Sequence, residues 1–94
     1  MNVEVKGEGG DSIVFDGASV AKFRHNGMEE VGRNPVSTFR EVRVKPKKRK
    51  KRDVEQRYEV LLACSTIFSL TILESEKPQL DELIIQLERL ASGS

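Results

Sequence analysis

The chain is poor in the residue types that build metal centres and covalent cross-links: among 94 residues it has one cysteine, Cys64, and one histidine, His25. One thiol excludes an internal disulfide. One thiol with one imidazole also leaves too few soft ligands for a zinc site, so neither metal nor cofactor is expected. This cysteine usage fits a reducing, intracellular compartment, nuclear in a eukaryote and otherwise cytoplasmic. Long apolar runs are missing too. The most apolar tract, "VLLACSTIFSLTIL", is broken by Ser65, Thr66, Ser69 and Thr71, and nothing approaches the roughly 18 residues that cross a bilayer, so no transmembrane segment is expected. The opening residues carry no basic start followed by an apolar stretch, so no secretory leader is expected either. The length suits one domain, residues 1–94, with one modest core.

Charge is plentiful and unevenly placed. Lys and Arg total 16 against 15 Asp and Glu, but "KPKKRKKR" at 45–52 holds Lys45, Lys47, Lys48, Arg49, Lys50, Lys51 and Arg52. Nine cations remain against fifteen acids elsewhere, so the body carries about −6. A general nucleic-acid binder spreads its cations over a face, so this concentration points to a local role for a basic loop at 45–53.

Turn signals recur at short intervals: "GEGGD" at 7–11, Asp16-Gly17, Asn26-Gly27, "GRNP" at 32–35, the basic run, and Ser65-Thr66. Between them lie "NVEV", "SIVF", "SVAKF", "REVRV", "RYEVLLAC" and "IFSLTIL", which alternate or are rich in strand formers. Tyr58, Val60, Leu62 and Cys64 share one face, and Phe68, Leu70 and Ile72 another; both faces are expected in the core. Phe39 is out of phase with Val42 and Val44, which predicts a bulge or short turn after Pro35. The Asp-Gly and Asn-Gly pairs fit two-residue hairpin loops with positive φ at both positions. In "SVAKFRH" the cations Lys22 and Arg24 oppose Phe23, a pattern that blunts a sheet edge, and a monomer or weak homodimer is expected.

The period changes near the C-terminus. Leu80, Leu83, Ile84, Leu87, Leu90 and Ala91 make one helical stripe, Pro78 suits the first turn and Gly93 the end, so a helix over 78–91 is predicted. Ile85 widens the stripe and is expected to be buried with it.

Six or seven short antiparallel strands closed by one C-terminal helix make a mainly β, α+β arrangement. With the stretches Val3–Gly10 and Phe15–Gly17, strand, Lys-Gly, glycine-rich turn, strand and Phe-Asp-Gly, it resembles the short bacterial pleckstrin-homology-like (PH-like) domains. The resemblance implies a small antiparallel β-barrel or sandwich. Those families share no catalytic site, so it also implies a non-enzymatic interaction or adaptor module and transfers no functional residue. PH domains that bind phosphoinositides carry Lys and Arg around the first loop. Here that loop is "KGEGGD", with Glu8 and Asp11 against Lys6, and phosphoinositide binding at that place is not expected.

Single residues offer no enzyme. "GEGG" lacks a following Gly-Lys-Ser/Thr and opens no helix; His25 precedes a turn with no partner evident from spacing; Cys64 ends an apolar strand, where burial raises a thiol pKa. The basic run is left with three readings. It is a solvated hairpin loop, a nuclear import address, or an electrostatic contact for an acidic protein, an anionic membrane or nucleic acid. The leading function is an interaction module that binds a protein or acidic partner. The alternative is a nucleic-acid-associated protein that grips phosphates without reading bases.

Overall fold

The computed structural model describes residues 2–52 and 54–92, which form seven strands and one helix in a single packed body. The strands are β1 (Val3–Lys6), β2 (Ser12–Phe15), β3 (Ser19–Arg24), β4 (Glu29–Pro35), β5 (Glu41–Pro46), β6 (Arg57–Ala63) and β7 (Ile67–Leu73), followed by α1 (Lys77–Ser92). All neighbours pair antiparallel, in a four-stranded sheet of order β1-β2-β3-β4 and a three-stranded sheet of order β5-β6-β7. The structure is therefore α+β with two separate sheets, and the closed barrel named as one expectation does not form.

Alternation sends Val3, Val5, Ile13, Phe15 and Val20 from the first sheet, and Val60, Leu62, Cys64, Phe68, Leu70 and Ile72 from the second, into one shared core. Tyr58 packs at its margin, with the Lys77 ammonium 5.3 Å from its ring centre. The sheets cross closely at β7. A Cβ on Gly7 would collide with the Leu70 side chain and come within 2.8 Å of the Thr71 carbonyl, although Gly7 has ordinary extended φ and ψ. The glycine is needed for close approach and not for backbone freedom.

Several expectations are corrected here. "GRNP" is the end of β4 and not a turn. Its only buried side chain is the polar Asn34, which donates to the Thr66 hydroxyl (2.9 Å) and accepts from the Ser65 hydroxyl (2.6 Å). The β3 segment is interior to its sheet and is not an edge; β4 is the edge, irregular where the register slips between Lys22 and Phe23. Lys22 itself is buried, with its ammonium donating to the Ser69 carbonyl at 2.6 Å on β7, the outer strand of the other sheet. At the β2–β3 turn Gly17 alone has positive φ, so the Asp-Gly pair does not form the expected mirror-image turn. At the β3–β4 turn Asn26 and Gly27 both have positive φ, as expected, and His25 joins them in a four-residue connection. The short turn after Pro35 is present as a 3-10 turn, Val36–Thr38.

The helix lies against β1 and the Val36–Thr38 turn. Leu80, Leu83 and Leu87 are fully buried, and Ile84 packs beside them. Each buried leucine contributes about 1.5–3 kcal/mol by removal from water. The stripe is narrower than its sequence pattern. Ile85 is 50% exposed and Leu90 42% exposed, so neither is a core residue. The sheets beneath supply contacts for one ridge of the helix only. The Ala91 side chain and the stop at Gly93 lie outside the described residues.

Candidate electrostatic site

The basic run begins on the sheet. β5 extends to Pro46, so Lys45 is a strand residue facing Glu59 across the ladder, and Pro46 pairs with Tyr58. One further rung forms beyond the strand, from the Lys47 N–H to the Arg57 carbonyl at 2.9 Å. The ladder is then closed by a side chain. The Gln56 amide donates to the carbonyls of Lys47 (2.6 Å) and Arg57 (2.9 Å), which a loop lacking backbone partners would leave unsatisfied.

The returning limb is pinned to the body. The Glu74 N–H donates to the Gln56 carbonyl at 2.8 Å, and the Ser75 N–H to the Glu55 carboxylate at 3.0 Å. What stands free of the sandwich is therefore short: residues 48–52 and 54 among those described. Arg49 donates to the Val54 carbonyl at 3.0 Å and draws the two limbs together. Asp53, the last residue of the expected loop, is outside the described residues.

Lys45, Lys47, Lys48, Arg49, Lys50, Lys51 and Arg52 are all exposed, and the structure brings them together at one end of the second sheet. Around the base stand acids: Glu55 and Glu59 on the return limb and β6, Glu74 and Glu76 on the turn before α1, and Glu8, which pairs with Arg57. The result is a cationic finger rising from an anionic collar. Its cations were legible from composition. Its anchoring by Gln56 and Glu55 was not, because a side-chain amide or carboxylate that caps distant backbone leaves no local pattern.

The other residues weighed from sequence lie elsewhere. The His25 imidazole is 3.8 Å from Glu29, with both side chains exposed. Cys64 is buried and its pKa is raised by that burial, against a smaller opposing hydrogen bond with Thr38. The depression beside the first loop, about 290 Å³, is lined by one cation, Lys6, and by the carboxylates Glu4 and Asp11. Among the described residues no three His, Cys, Asp or Glu side chains gather as a metal site, and no helix is long and apolar enough to cross a membrane. No family model, curated protein or solved structure matches the chain.

Proposed function

We propose that the chain is a non-enzymatic binding module of PH-like fold that engages an acidic partner electrostatically through residues 45–52. The order of elements, four antiparallel strands, three more and a closing helix, supports the PH-like reading. The observation that carries the function is the exposure of all seven cations on a connection whose backbone is anchored only at its base. Side chains so placed contribute little to folding, because solvated charges interact weakly with the rest of the body. They do concentrate nearly all the positive potential of the chain in one place. A buried thiol and an isolated exposed imidazole support the absence of catalysis.

Retention on a heparin column tests this directly. The native chain is expected to bind and to elute only in raised salt. The chain with Lys47, Lys48, Arg49, Lys50, Lys51 and Arg52 replaced by Gln is expected to flow through, while its circular dichroism and melting midpoint stay within about a few degrees of the parent. Equal retention of both chains, or failure of the substituted chain to fold, overturns the reading.

A further inference from the structure

Resting on that electrostatic reading, we propose that the acidic partner is double-stranded nucleic acid, and that the finger enters a groove and meets phosphates on both of its sides.

The first argument is width. The finger is two chain segments across, held by the Lys47–Arg57 rung and by the Arg49 contact to Val54. Paired segments lie about 4.8 Å apart, and the major groove of a duplex, about 12 Å wide, admits a ribbon of two strands. The second argument is the direction of the charges. Residues 47–52 are six consecutive cations, and neighbouring side chains on a non-helical chain project to opposite sides. A planar anionic surface meets one side and leaves the other in water, whereas the two walls of a groove meet both.

The collar supplies a third argument. Glu8, Glu55, Glu59, Glu74 and Glu76 ring the base, and the body beyond carries about −6. A broad anionic surface that comes down over the base is repelled, so only a partner shaped to receive the finger alone gains the attraction without the repulsion. The choice between duplex and single strand follows from aromatics. Single strands are held largely by base stacking on aromatic rings. Residues 45–52 contain none, and Tyr58, the nearest, lies against the core with Lys77 over its ring. Lysine-rich contacts of this kind bind phosphates and carry no base preference.

The test uses the whole chain and three labelled probes: a 20-base-pair DNA duplex of mixed sequence, one of its strands, and phosphatidylserine-containing vesicles. With seven cations engaged, duplex affinity is expected to fall with a log–log salt slope of about −6, or about 1,000-fold between 50 and 150 mM salt. Two half-neutralised chains then report the geometry. One carries Gln at 47, 49 and 51 and the other at 48, 50 and 52, and with four cations left each is expected to show a slope of about −4 and a similar loss of duplex affinity. A loss confined to one of the two, or tighter binding of the single strand or the vesicles, overturns the groove model. A chain retained by heparin that ignores the duplex overturns this inference and leaves the electrostatic module standing. A chain that ignores both overturns the two together.

Discussion

Asp16 organises the β2–β3 turn with both carboxylate oxygens. Oδ1 accepts from the N–H groups of Ala18 (2.9 Å) and Ser19 (2.8 Å), and Oδ2 accepts from the Ser19 hydroxyl (3.1 Å) and from Arg33 (3.0 Å). These bonds, the Ala18 and Ser19 backbone bonds foremost, lower its pKa from 3.8 to about 2. The charged form is the one favoured by folding. Its contribution is therefore fully present above about pH 4 and disappears as pH falls towards 2. Asp16→Asn is expected to be less stable than the parent at pH 7, with the gap in urea midpoint closing between pH 4 and 2. A gap of constant size across that range would show that the carboxylate charge contributes nothing. Arg33 also reaches Glu30, at 2.6 Å, so the same guanidinium ties the turn to the edge strand.

At the scale of the element, the helix is held by one ridge. Leu83→Asp or Leu87→Asp places an unpaired charge where the native side chain is fully buried, and is expected to cost about 3 kcal/mol or more, a large part of the stability of a domain this small. Ile85→Asp, half exposed on the same helix, is expected to change stability by less than about 0.5 kcal/mol. Thermal melts of the three variants check both statements, and equal losses at 83 and 85 would refute the assignment of the buried ridge. The elements that could be read in advance are those in which one face meets the core. β6 and β7 alternate because their inward side chains fill it, and α1 repeats at helical spacing for the same reason. β4 was not readable. It sits at an edge, its one buried side chain is Asn34, and hydrogen bonds to Ser65 and Thr66 replace the apolar contacts that would have produced a period of two. Its Gly-Arg-Asn-Pro ending carries the composition of a turn while serving as a strand. Lys22 was taken for an exposed blunting residue because its sequence pattern cannot report that the second sheet crosses over it. The basic run was legible as a site because charge density is a property of composition. The anionic collar around it was not, because its members come from the first turn, the β6 limb and the segment before α1, and only the fold assembles them.

Over the whole molecule, the finger divides the chain into two nearly equal parts that are folded through one another. The first contributes the four-stranded sheet and β5; the second contributes β6, β7 and α1. They share the six-pair β5–β6 register, the packing of α1 on β1, and the bonds from Lys22 to Ser69 and from Asn34 to Thr66. Six consecutive exposed lysines and arginines at the junction are an open target for trypsin-like proteases, since cleavage needs an accessible and locally deformable backbone. Brief trypsin treatment of the native chain is expected to cut within 47–52 before anywhere else. The two pieces are expected to travel together through gel filtration and to part only in denaturant. Separation without denaturant would mean that the shared core depends on the covalent link. A nicked molecule of this kind would keep its folded shape while losing its charged finger as a connected unit, so a single cut would end binding without ending the protein's existence as a particle.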